Sequence, residues 1–256
     1  MSLSLLRVSI VALVVAAVSP GLVHAEDAEG AYPIELFDRP FTLPTGVWQA
    51  GLDVFADKSF DAVGTAIRGD YGLTNQLQLG LQYTFGVKEF EAKGDLALQG
   101  NYVYLETNTF YGMAVASTGY SFLGEALSPL ELGSLFWYTI VPSKIAVYTI
   151  PTVSIALADQ GVDGGASIRP VFLSLPLSVA VQLIKNVYVE VGTELASIKI
   201  ADSDTIIFGA DYVPLSLIGF FSLNNALDLA AGLSWGDLKA DSGAIDLTFL
   251  VRYRGF

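Results

Sequence analysis

Between Leu77 and Phe85 apolar and polar residues alternate without interruption. Leu77, Leu79, Leu81, Tyr83 and Phe85 share one side; Gln78, Gly80, Gln82 and Thr84 share the other. A side-chain period of two sustained this long is a strand with one apolar and one polar face, whereas a helical period of 3.6 would scatter both classes around a cylinder. Thr74-Asn75-Gln76, just ahead of it, has the composition of a tight turn.

The pattern recurs along the chain. Lys185-Asn186 leads into Val187, Val189, Val191 and Leu195, with Tyr188, Glu190, Gly192 and Glu194 opposite. Asn224-Asn225 leads into Leu227, Leu229, Ala231, Leu233 and Trp235, with Asp228, Ala230, Gly232 and Ser234 opposite. Thr107-Asn108 precedes Tyr111, Met113 and Val115, with Gly112, Ala114 and Ala116 opposite. Pro142-Ser143-Lys144 precedes Ile145, Val147, Val153, Ile155 and Leu157, a less regular series. Tight turns at the feet of two-faced strands predict a meander of hairpins.

Periodicity does not say which face is buried, since a soluble sandwich alternates in the same way. Composition decides. Charged residues make up only 15% of the chain, against about 25% in a typical soluble domain. Hydrophobic residues are 52% and mean hydropathy is +0.52. The polar faces are mostly Gly, Ala, Ser, Thr and Gln, which suits the wet interior of a barrel whose apolar face meets lipid. The expected fold is therefore all-β: a transmembrane antiparallel up-and-down β-barrel over residues 47–256, of about 12 strands. Ten or fourteen are the alternatives, because Leu130–Val141 and the stretch around Pro214 alternate poorly. Pro176 sits in an otherwise clean strand, and its missing N–H predicts an irregularity there.

The strand phases place Asp53, Arg68, Asp70, Lys93, Asp95, Glu190, Glu194, Asp228, Asp246, Arg252 and Arg254 toward the lumen. Acids outnumber bases in that set, so any open path is expected to prefer cations. Aromatics sort to two heights: Trp48, Tyr71, Tyr102, Tyr104, Phe110, Tyr111, Phe220, Phe221 and Tyr253 at the turn end, and Phe55, Tyr83, Phe85 and Trp235 at the loop end. Two such levels predict girdles at the membrane interfaces.

Residues 1–25 have the layout of a cleaved signal peptide: Arg7, an apolar run from Val8 to Val18, a Pro20-Gly21 break and the small-residue site Val23-His24-Ala25. The run is shorter than the ~20 residues a spanning helix needs. Residues 26–46 hold Pro33, Pro40 and Pro44 and do not read as a strand. They are expected to form a lead-in segment on the periplasmic side, lying along the barrel foot or entering the lumen.

The final strand ends Phe249-Leu250-Val251-Arg252-Tyr253-Arg254-Gly255-Phe256. It resembles the C-terminal assembly signal of bacterial outer-membrane proteins, with Tyr253 and Phe256 as its aromatic positions. The resemblance implies recognition by the barrel-assembly machinery. Tyr253 stands three residues before Phe256 rather than two, which predicts a terminal bulge around Gly255. Two further stretches, Asp38-Arg39-Pro40-Phe41-Thr42-Leu43-Pro44-Thr45-Gly46 and Tyr71-Gly72-Leu73-Thr74-Asn75-Gln76-Leu77-Gln78-Leu79-Gly80, resemble the phenol-degradation meta-pathway type of outer-membrane barrel. That resemblance implies passage of small organic solutes.

Catalytic chemistry is poorly provided for. The one histidine, His24, lies in the expected signal peptide, and cysteine is absent. Ser-His and Cys-His systems and the usual zinc sites therefore lack their residues. Glu190 and Glu194 share a face about 13 Å apart along a strand, too far for a glycosidase pair. Asp57, Asp61, Asp159, Asp163, Asp202, Asp204, Asp237 and Asp241 have no calcium-loop spacing. No enzyme activity, cofactor or metal is expected. A formal charge of −13 argues against nucleic acid as a partner. The expected partners are outer-membrane lipid and small solutes. The expected function is a monomeric passive channel, the alternative a structural or surface-interaction barrel with a closed lumen.

Overall fold

The computed structural model describes residues 32–87, 94–158, 162–163, 166–167, 171–199, 206–208, 213–238 and 245–256. Twelve antiparallel strands close into a barrel. They are β1 (Trp48–Asp57), β2 (Val63–Gly72), β3 (Leu77–Gly86), β4 (Asp95–Glu106), β5 (Phe110–Ser121) and β6 (Leu130–Val141). β7 follows in two pieces (Ile145–Thr149 and Thr152–Ile155), then β8 (Val171–Ile184) and β9 (Val187–Lys199). β10 also comes in two pieces (Ile206–Phe208 and Leu215–Ser222), before β11 (Leu227–Trp235) and β12 (Ile245–Gly255). Each strand pairs with its neighbours in sequence, and β12 closes on β1 in unbroken register from Trp48 opposite Gly255 to Asp57 opposite Asp246. Each of the two weakly patterned stretches contributes one stave to the closed twelve-strand barrel, so the alternatives of ten and fourteen fall away.

One end of the barrel carries short turns, at 73–76, 107–109, 142–144, 185–186 and 223–226. Side chains build them. Thr74 Oγ1 accepts the N–H groups of Gln76 (3.2 Å) and Leu77 (3.0 Å), and Asn224 Oδ1 accepts those of Ala226 and Leu227 (both 2.8 Å). These bonds satisfy the backbone where the ladder stops. The opposite end carries the longer connections. A small hairpin, Val162–Asp163 with Ala166–Ser167, lies in one of them.

Pro176 does interrupt the wall. The β8–β9 register shifts between Leu175 and Pro176, and the β7 ladder lapses at Ile150 and Pro151 between its two pieces. Two prolines without N–H donors thus weaken adjoining ladders at about the same height.

The outer face is an apolar band. Leu52, Ile67, Leu79, Leu98, Leu132, Val179, Val191, Leu217, Leu229 and Phe249 are all exposed on it. Trp48, Tyr71, Tyr102, Tyr104 and Tyr253 ring its turn end, with Trp48 and Tyr253 in contact at 5.7 Å between centroids.

Several facings differ from the sequence expectation. Tyr111 and Met113 of β5 point inward and are buried with Val103 and Leu135, and Val115 packs against that group. Phe220 also points inward, edge-on to Tyr188 at 5.3 Å. Phe55 lies on the Asp53 side of β1, its ring covering Gly64. These three aromatics therefore leave the expected girdles. The terminal bulge is absent as well. Gly255 stays in phase on the outer face, where the Trp48 indole occupies the place of a side chain, and Phe256 turns inward onto Tyr32 at 5.8 Å.

Candidate functional site: the lumen and its strap

Residues 32–46 form a strap inside the turn end of the barrel. A short 3-10 turn, Leu36–Asp38, bends it. The Phe37 N–H donates to Gln182 of β8 (3.3 Å), and the Leu43 N–H to Gln78 of β3 (2.8 Å). Thr42 Oγ1 donates to the Asn75 carbonyl (2.8 Å), and Ser143 Oγ to Asp38 (2.8 Å). Lys185 Nζ lies 3.6 Å from Glu35. One segment can reach β3, β8 and the turns between β2 and β3, β6 and β7, and β8 and β9 together only from within the mouth. Its contacts therefore define the inner face of every strand they touch.

Arg39 anchors the strap. Its NH1 donates to Asp228 Oδ2 (2.7 Å), its NH2 to Ser222 Oγ (3.0 Å) and its Nε to the Pro33 carbonyl (2.8 Å). Arg254 donates to the same Asp228 oxygen, and both guanidinium groups face the ring of Tyr32, at 5.3 and 5.1 Å. All three charged side chains are at most 7% exposed. Two cations sharing one carboxylate in a buried site form a tightly coupled cluster in which each member depends on the others.

Aromatic packing supplies the rest of the hold. Phe41 lies 4.1 Å from Tyr111 and 5.0 Å from Trp137, and Phe37 lies 5.3 Å from Trp137 and 5.8 Å from Tyr188. Trp137 stacks in turn on Tyr148 at 5.3 Å. This explains why β5 and β6 bury apolar residues inward: the wall there packs against the strap instead of against water.

Further up, the charges pair along the wall. Arg252 binds both carboxylate oxygens of Asp53, and Arg68 binds both of Asp70 (2.7 and 2.9 Å). Gly51 leaves the room in which the Arg252 side chain crosses to Asp53. Asp95, Glu131, Glu190, Glu194 and Asp246 have no ion-pair partner among the described residues. Three of them accept hydroxyls: Glu190 from Tyr148 and Tyr188, Glu194 from Ser174 and Glu131 from Ser117.

Two cavities bordered by described residues bear on the site. One of about 970 Å³ opens at the loop end and is bordered by Phe55, Asp57, Asp61, Asp95, Leu123 and Asp246. A second of about 290 Å³ lies between the strap and the wall, bordered by Phe37, Arg39, Trp137, Tyr188, Glu190, Phe220 and Arg254.

No protein-family model matches the sequence, and no curated protein matches it. Solved structures match the fold. The NanC porin superposes with a TM-score of 0.63 at 8% identity, over 80% of this chain and 98% of that one. The KdgM porin in complex with disordered oligogalacturonate gives 0.57 at 8% identity, over 81% and 99%. The COG4313 outer membrane channel from Pseudomonas putida F1 gives 0.51 at 15% identity, over 84% and 97%. The chain has the fold of an outer-membrane porin.

On this porin fold the sequence-derived set falls as follows. Asp53, Arg68, Asp70, Asp228, Arg252 and Arg254 lie on the inner face as the ion pairs above, and Asp95 and Asp246 border the loop-end cavity. Glu190 borders the inner cavity, and Glu194 accepts the Ser174 hydroxyl. Lys93 lies outside the described residues, as do residues 1–31 with the expected signal peptide. Tyr253 is on the outer face and Phe256 on the inner side.

Sequence reasoning missed Arg39, Phe37, Phe41, Leu135, Trp137 and Tyr148. One signal was present in β6. Leu135 and Trp137 alternate with Phe136 and Tyr138, so both faces are apolar, and two apolar faces mean that something packs inside.

Proposed function

We propose that the chain is a passive outer-membrane channel for small solutes, cation-preferring, and narrowed at its periplasmic end by the strap. The observation that carries the reading is the loop-end cavity of about 970 Å³, bordered by Asp95 and Asp246, which have no ion-pair partner among the described residues, and by no arginine or lysine among its described lining residues. An acidic vestibule walled by low-dielectric barrel raises the local concentration of cations and lowers that of anions. Beyond it Arg68, Arg252 and Arg254 are held in ion pairs while Glu131, Glu190 and Glu194 have none among the described residues, so the potential stays negative along the wall.

In this reading the short turns and the strap face the periplasm, the longer connections face outward, and residues 1–25 direct export. The last strand, with Tyr253 and Phe256, is the element presented to the barrel-assembly machinery. The barrel works as a monomer in outer-membrane lipid. Small organic solutes, which the resemblance to the phenol-degradation type implies, are the cargo class that the apolar inner wall near Trp137 accommodates.

The second reading, a closed structural barrel, is favoured by one observation: the strap is bonded to three of the turns and to the strand ends at Ser222 and Asp228. Planar-bilayer recording of the purified protein separates the two. Discrete conductance steps support the channel. A silent bilayer containing folded protein, silent also after the strap is deleted, supports the closed barrel.

A further inference from the structure

We infer that Glu190 and the aromatic rings around it form a binding site for small organic cations, the protonated or quaternary amines. The inference deepens the cation-channel reading and rests on it for the route by which a ligand arrives.

Glu190 differs from the paired lumen carboxylates. Asp53, Asp70 and Asp228 are each neutralised by arginine, whereas Glu190 has no cationic partner among the described residues. It is held instead by two phenols: Tyr148 donates to one carboxylate oxygen and Tyr188 to the other, at 3.2 Å for Tyr188. Hydroxyl donors fix the carboxylate in place without cancelling its charge. A half-buried carboxylate kept in that state is unfavourable until a cation faces it.

The walls suit a cation that is also apolar. Trp137 stacks on Tyr148, Phe37 meets both Trp137 and Tyr188, and Phe220 meets Tyr188, all with centroids 5.3–5.8 Å apart. Ring faces attract ammonium groups, and several rings around one space are how quaternary ammonium ligands are recognised. The cavity bordered by Phe37, Trp137, Tyr188 and Phe220 is about 290 Å³, at the small end of the range of ligand pockets, roughly 300–1,000 Å³. A hydrated metal ion would gain little from such walls, because it would have to shed water against hydrocarbon. A methylated ammonium has no such shell to lose.

Two arginines border the same cavity, and their charge has to be counted. Arg39 and Arg254 have side chains only 4% and 7% exposed, and both are committed to Asp228. They present little accessible charge to the space, whereas Glu190 is only half-buried. With Asp228 the four charges sum to zero, and Glu190 is the one of the four that is not fully buried, so it is the charge an entering ligand meets.

Choline is the probe. Calorimetric titration of the full-length protein in detergent should show saturable choline binding. Glu190→Gln, which still accepts from one tyrosine and donates its amide N–H to the other, should weaken it at least tenfold, as should Trp137→Leu. The uncharged isostere 3,3-dimethylbutan-1-ol should bind at least tenfold more weakly than choline. Absence of saturable binding to protein that migrates as a folded, heat-modifiable barrel overturns the inference. So does equal affinity in Glu190→Gln, or equal affinity for the uncharged isostere. Potassium conductance of the same preparation keeps the two proposals apart. Conductance without choline binding removes this site and leaves the channel, whereas choline binding in a silent barrel removes the channel and leaves the site.

Discussion

Asp228 holds two guanidinium groups with one carboxylate, so the three residues are unequal in their effects. Removing the carboxylate leaves two buried cations facing each other; removing Arg39 leaves an intact pair with Arg254. Asp228→Ala should cost about 3–5 kcal/mol and Arg39→Ala clearly less, measured by urea unfolding in lipid vesicles. Equal costs would mean that the cluster is not shared in this way. Gly72 offers a second test. A Cβ there would overlap the carbonyl oxygens of Pro44 and Leu43, so any side chain must lift the strap. Gly72→Val is expected to raise single-channel conductance, and an unchanged step size would show that the strap does not limit passage. Strand phase was enough to assign the inward direction of Asp228, but not its partners. The partnership with Arg39 spans 189 positions and crosses from a segment with no period of its own.

Elements were legible in proportion to how simply their two faces divide. β3, β8 and β11 have water or small polar groups on one side and apolar exposure on the other, so period two gives their facing outright. In β8 this makes a sharp comparison. Leu175→Arg would place a charge on the apolar outer face and should destabilise by about 2–4 kcal/mol near the bilayer midplane. Ser174→Arg enters the lumen beside Glu194, which accepts the Ser174 hydroxyl at 2.8 Å, and should cost far less. Similar costs in vesicle unfolding would reverse the facing of β8. β5 and β6 were not legible in this way because the rule assumes a wet lumen. Tyr111, Met113, Leu135 and Trp137 face the strap, so hydrophobicity stops marking the lipid side. The terminal bulge failed for a related reason. Gly255 leaves room for the Trp48 ring on the outer face, and Phe256 has an inner partner in Tyr32, so nothing requires a phase correction.

The fold follows from the hairpin meander, because twelve sequential antiparallel strands whose first and last pair have no edge left to hide. What alternation could not show is that the lumen is asymmetric, with an acidic cavity at the loop end and an arginine-anchored strap at the turn end. Orientation in the membrane is open to direct test in intact cells. A membrane-impermeant thiol reagent should label Ser59→Cys, on an exposed loop-end connection, and should not reach Asn186→Cys in a short turn; the reverse would invert the barrel. The most direct measurement of the central claim is the reversal potential across a potassium chloride gradient in planar bilayers. The account predicts cation over anion selectivity at low salt, fading as the Debye length falls from about 30 Å at 0.01 M to about 3 Å at 1 M. Anion preference at low salt would contradict it.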